Sequence, residues 1–286
     1  MNAAILGQSI INGLSSGFIY ILISVGLTVI FSIMNVVQFS HGEVYMLGAY
    51  CTYYMFTILG LSFWEALPVT MFLLALVGLI LERFFFRPFR GSFERSIIVS
   101  IALMVLLQTV AVVAFGSYTR KLPPVIKGVL RVGDVILSWD KLLAILFGIL
   151  LIVLLFLIIR KTNTGKAMVA VSQDSYAAGL LGVNVNRISA MAMAIGCAMA
   201  AVAGSLMARI LSIDPYMGTY ALTKGIAVTI LGGLGSIPGA VVGGLILGLI
   251  DGIVPPLLTT TWAALLGFVV IIIILLVRPR GLMGHE

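Results

Sequence analysis

Charge is what this sequence most lacks. Only 9% of its 286 residues are Asp, Glu, Lys or Arg, against about 25% in soluble domains. With 61% hydrophobic residues and a mean hydropathy of +1.21, too few polar side chains remain to cover a water-facing surface. That excludes an ordinary soluble domain and makes the bilayer the natural solvent. Histidine is nearly absent: His41 and His285 alone do not supply a His-rich metal site. Two cysteines, Cys51 and Cys197, both sit inside apolar runs and read as small packing residues rather than a disulfide or a metal site. The Gly-x-x-x-x-Gly-Lys-Ser/Thr phosphate loop is missing, since Gly165-Lys166 runs into Ala167 without the upstream glycine. His-Glu-x-x-His is missing too. No catalytic set assembles, so any ATP used for uphill movement must be bound by another subunit. The N-terminus has no basic stretch, and the first acidic or basic side chain is Glu43; the first apolar run therefore reads as a retained span.

What is present is a series of long, continuous apolar runs, which predict helices rather than the short alternating strands of a barrel. Spans are expected over 10–34, 44–59, 66–81, 96–115, 142–159, 188–207 and 262–277. The net charge of +7 falls between the runs. It reads as orientation by the positive-inside rule and contact with anionic lipid, not as nucleic-acid binding. The basic loops 82–95 and 160–187 lie two spans apart, share one side and are placed in the cytoplasm. The polar stretch 116–141, with Pro123-Pro124 and a hairpin expected around Gly133-Asp134, then faces outward.

Parity constrains the rest. A cytoplasmic basic tail at Arg278 and Arg280 requires the glycine-rich region 225–253 to begin and end outside. A re-entrant or broken pair turning near 232–239 satisfies this. The expected fold is one all-α polytopic membrane domain over 1–286, with about eight transmembrane helices plus that re-entrant or broken segment.

Irregular backbone at membrane depth is tolerated only inside protein or beside a water-filled cavity, and transport sites gather where helices are interrupted. Two interruptions qualify, 35–43 and 231–239. They supply the candidate pathway residues Asn35, Gln38, His41, Gly42 and Glu43, with Gly232, Gly233, Gly235, Ser236, Pro238 and Gly239. Each also has a plain structural reading. Ser40-x-x-Glu43 has the spacing of a capping box opening the second span, and Gly239-x-x-x-Gly243 has that of close helix packing. Asp251, just before Gly252 and Pro255, reads as interfacial. The segment 164–184 is too polar to span. It is either a solvated connector or a docking helix whose small residues fit a groove on a partner.

Four stretches resemble the permease subunits of branched-chain amino acid ATP-binding-cassette importers of the LivH type. They are Asn35-Val36-Val37-Gln38-Phe39-Ser40-His41-Gly42-Glu43; Glu82-Arg83 with Arg87-Pro88; the run from Gly165-Lys166-Ala167 through Gln173-Asp174 to Ala177-Ala178-Gly179-Leu180-Leu181-Gly182-Val183-Asn184; and Leu231-Gly232-Gly233-Leu234-Gly235-Ser236-Ile237-Pro238-Gly239-Ala240-Val241-Val242-Gly243-Gly244. The resemblance implies that the third stretch is a coupling loop docking on an ATPase subunit through Gln173, Asp174, Ala177, Ala178, Gly179, Leu180 and Gly182. Ser175-Tyr176 stands there in place of the acid that usually precedes the two alanines. It further implies a homologous second permease, two ATP-binding subunits carrying ATP-Mg, an extracytoplasmic solute-binding protein and residence in a bacterial inner membrane. No cofactor is expected in this chain itself. The implied cargo is leucine, isoleucine or valine; related systems carry urea, short amides or aromatic acids. An ion-coupled secondary carrier or channel is the alternative.

Overall fold

The computed structural model describes residues 3–126, 128–133 and 135–284. Its eleven α-helices, among those residues, are α1 (Ala3–Met34), α2 (His41–Thr57), α3 (Phe63–Leu81), α4 (Phe93–Phe115), α5 (Trp139–Lys161), α6 (Asn163–Gln173), α7 (Ser175–Leu180), α8 (Val185–Ile210), α9 (Met217–Gly232), α10 (Ile237–Ile253) and α11 (Thr260–Val277). A two-stranded antiparallel hairpin, β1 (Val129–Val132) and β2 (Val135–Ser138), pairs Val129 with Ser138. It sits where the hairpin was expected around Gly133-Asp134; Asp134 lies outside the described residues, as does His285.

Six helices are long and apolar enough to cross a bilayer alone: α1, α3 with its extension to Phe89, α4, α5, α8 and α11. The 17-residue α2 and the bent pair α9–α10, whose axes turn by 120°, complete the set. A turn of more than 90° sends α10 back toward the end from which α9 came, as parity required. The expected number of about eight spans is thus approximate.

The chain shuttles between two ends. At one lies the β-hairpin, fastened to the start of α1 by Ile136 N–H donating to Gln8 (2.9 Å) and Lys141 Nζ to Asn12 (2.7 Å). The other, called here the tail end, gathers α6, α7, the loop after α3 and residues 278–284. There Glu82, fully buried, holds Arg87 at 2.6 Å and Arg90 at 2.5 Å, and Arg90 also donates to Asn186 at the foot of α8 (2.6 Å).

Small residues set the core. The α1 helix, 32 residues and so about 48 Å long, runs beside α10. Gly13 and Gly17 face Gly248 and Gly244, backbone on backbone. Without a hydrophobic drive between helices in lipid, such close approach supplies the packing attraction. The alanine-rich α8 is buried almost throughout and meets α2 the same way: a Cβ on Gly204 would overlap the Tyr45 carbonyl oxygen. The flanks of α3, α4, α5 and α11 turn Phe72, Ile98, Leu150 and Ile272 outward, as lipid-facing surfaces should.

Candidate functional site

Between α1 and α2 the chain leaves the helix at Asn35, whose φ of 53° is the one positive value among described non-glycine residues. It doubles back, because His41 at the start of α2 lies against Gly26 of α1, about two helical turns above Met34. Ser100 of α4 receives the freed N–H of Phe39 (2.5 Å) and that of Ser40 (3.3 Å). Gln38, Ser40, His41 and Glu43 are all fully buried. Gln38 Oε1 lies 3.3 Å from His41 Nδ1 and its amide lies against the Cys197 thiol, while Ser40 Oγ and both Glu43 oxygens have no partner within the protein. The capping box read from Ser40 and Glu43 is therefore not formed. Ser40 sits in helical backbone with no side-chain cap bond, which turns its hydroxyl away from the orphan amides. The box forms instead at Ser62 and Glu65, where Ser62 is extended and Glu65 accepts from the Ser62 N–H at 2.9 Å. Gly42 lets α2 touch Gly218 of α9, bringing Glu43 to the N-terminal turn of α9.

In the second interruption, Gly233 (φ 105°) and Gly235 (φ 84°) make the tight turn between α9 and α10. Ser236 caps α10 by accepting from Gly239 N–H at 3.2 Å, with Pro238 in the first turn. Gly232 and Gly239 touch backbone to backbone. The tail closes over this turn: Leu282 and Met283 N–H donate to Leu231 and Gly232 carbonyls, both at 2.9 Å. Gly232, Gly233 and Gly239 are thus sealed in protein, whereas Leu234 and Gly235 border open space.

Reading the sequence missed a third cluster. Lys224 of α9 pairs with Asp251 of α10 at 2.6 Å, Tyr20 of α1 donates to Asp251 at 2.7 Å, and the Tyr20 and Tyr220 hydroxyls lie 3.2 Å apart. Asp251, which the sequence marks as interfacial, has its carboxylate bound by Lys224 of α9 and Tyr20 of α1. Nothing in the sequence ties positions 20, 224 and 251 together.

At the tail end, α6 and α7 form an elbow. Asp174 caps α7 by accepting from Tyr176 and Ala177 N–H, both at 2.9 Å. Ala178 packs inward with Met168, Val171 and Ile188, against Ile33 of α1 and Ile195 of α8. Gln173, Ala177, Gly179 and Gly182 are exposed, and Leu180 and Leu181 are 73% and 86% exposed, an apolar tip on a polar surface. Gly182 has φ 86° and ends the elbow. Beside it opens a cleft of about 1110 Å³ lined by Asn35, Arg90, Ser172, Asp174 and Gly235 among others. The pattern Gly13-x-Ser15-x-Gly17 matches a hydrolase nucleophile spacing, but it lies within α1 with both glycines against α10. It has no strand-to-helix elbow to expose the hydroxyl.

A family model described as "branched-chain amino acid transport system / permease component" matches residues 9–275. The chain belongs to this permease family. It is 35% identical over 293 residues to the LivH permease of Escherichia coli K12, covering 97% of this chain and 95% of that one. To the BraD permease of Pseudomonas aeruginosa it is 32% identical over the same shares. The LivM permease of E. coli K12 is 28% identical over 76% of this chain and 57% of that protein. This permease is accordingly a multi-pass transport subunit. Nothing in the family or these relatives favours an ion-coupled carrier.

Proposed function

We propose that this permease is one of two homologous membrane subunits of an ATP-driven importer of branched-chain amino acids in a bacterial cytoplasmic membrane. The tail end faces the cytoplasm; it carries Arg83, Arg87, Arg90, Arg95, Arg160, Lys161, Lys166, Arg187, Arg278 and Arg280, the larger share of the basic residues. An extracytoplasmic binding protein delivers solute to the hairpin end. Two partner subunits bind and hydrolyse ATP-Mg.

The observation that carries the reading is the α6–α7 elbow. Its outer tip offers Leu180 and Leu181 to a partner groove, and its inner face rests on α1 and α8. Closure of the ATPases pushes α7, and Met168 and Val171 pass the displacement to Ile33 and Ile188, so the two most buried spans move first. The same elbow borders the wide cleft, which gives solute an exit beside the moving part. Reconstitution of this chain with its second permease, ATPases and binding protein in proteoliposomes tests the reading. Labelled leucine should enter only with ATP on the ATPase side and binding protein on the other. Uptake driven by an ion gradient without ATPases would overturn it.

A further inference from the structure

We propose that the exposed face of α9 lines the solute path; this deepens the permease reading and rests on it. Elsewhere the outward faces of the spans are apolar but for single residues such as Thr109: Phe72 and Ile80, Ile98 and Val113, Leu150, Ile272 and Leu276. The first half of α9 differs. Tyr216, Thr219, Tyr220 and Thr223, at i, i+3, i+4 and i+7, place four hydroxyl side chains on one exposed stripe. Gln108 of α4 joins them, donating to Thr219 at 3.3 Å. The stripe is deep, because Tyr220 meets the hydroxyl of Tyr20 near the midpoint of α1. Polar groups at that depth are costly against hydrocarbon, so this face meets water.

Further along the same helix, Ile226 and Ile230 join Leu27, Phe31, Val36 and Leu234 around a small pocket of about 30 Å³. Its walls are hydrocarbon. Its main polar member is Gln38, fully buried, whose amide lies against the Cys197 thiol. Phe31, Val36 and Leu234 also line the tail-end cleft. Stripe, pocket and cleft therefore follow one another along the molecule, with these three residues as an apolar narrowing between pocket and exit.

The hydroxyl stripe followed by a hydrocarbon narrowing fits a solute with a polar head, a small apolar side chain and no net charge. Beside the stripe Lys224 and Asp251 pair with each other, and Asp214 accepts from the Tyr216 N–H at its outer end. The second permease closes the open side.

The test uses the complete complex in membrane vesicles, with Cys51→Ala and Cys197→Ala removing the native thiols. Thr223→Cys is compared with Ile272→Cys for reaction with a charged, membrane-impermeant thiol reagent. Reaction proceeds through the thiolate, which hydrocarbon suppresses, so Thr223→Cys should react at least about tenfold faster, and loaded binding protein with ATP should slow it. Equal rates would overturn the path. Absence of ATP-dependent leucine uptake by the unsubstituted complex would sink the permease reading instead, and the thiol rates would still report on the stripe.

Discussion

Replacing Lys224 with methionine probes the joint between α1, α9 and α10. In the native protein the Asp251 carboxylate accepts from Lys224 Nζ, 2.6 Å from Oδ2 and 2.8 Å from Oδ1, and from Tyr20 at 2.7 Å. The two charged side chains are only 12% and 13% exposed. Lys224→Met leaves a nearly buried carboxylate with one hydroxyl donor. Breaking a buried pair from one side costs about 3–5 kcal/mol; the residual exposure and the Tyr20 bond place this case near 3 kcal/mol. At about 2–4 °C per kcal/mol for a chain of this class, the melting temperature in detergent should fall by about 6–12 °C. Asp251→Leu added to Lys224→Met removes the stranded charge and should bring melting back to within about 3 °C of the native protein, because a buried pair is readily replaced by apolar side chains. Size-exclusion fluorescence after a temperature series reads all three. A single variant that melts within about 2 °C of native, or a double variant as damaged as the sum of its singles, would refute the reasoning.

Other outcomes follow from the packing. Gly204→Ala places a methyl on the Tyr45 carbonyl between α2 and α8, and should sharply lower the yield of folded protein in membranes; Gly60→Ala, in open space at φ 63°, should cost only about 1–2 kcal/mol by melting. Ser62→Ala should cost about 1 kcal/mol through its lost cap, whereas Ser40→Ala, which removes an unpartnered hydroxyl, should leave melting unchanged or raise it; the reverse order would contradict the two cap geometries. Leu180→Glu with Leu181→Glu should abolish pull-down of the ATPase subunits while leaving the melting temperature of the isolated chain unaltered. Gly179→Trp, exposed beside them where a Cβ would make only an ordinary 3.9 Å contact with Val185, should stop uptake with the four-subunit complex still assembled; normal transport would end the coupling assignment.

Much of the architecture was legible along the chain. Long apolar runs named the spans, basic loops ordered their ends, and parity alone demanded that 225–253 enter and leave on the same side, which the 120° turn between α9 and α10 satisfies. The α6–α7 segment was legible as a non-spanning stretch because polar sequence between spans stands out, and Asp174 and Gly182 carry familiar cap and turn roles. The candidate site was legible as two interruptions, but not in detail. Ser40-x-x-Glu43 and Ser62-x-x-Glu65 have the same spacing, yet only the second caps, because the first is folded back against α1 and its backbone at Ser40 is already helical.

The sequence by itself determined the solvent, the order of the spans and the places where they break, since these depend on local hydrophobicity and local charge. Only the tertiary structure decided which faces meet. In water an apolar stripe marks the buried side of a helix; in a bilayer both the lipid side and the protein side are apolar, so α1, α8 and α10 carry no stripe to read. The contacts of Gly13 and Gly17 with Gly248 and Gly244, the Lys224–Asp251 pair, and the hydroxyl stripe of α9 above a hydrocarbon pocket all join residues far apart in the chain. They exist because small side chains let the backbones approach, and close approach is a property of the packed helices rather than of any one segment.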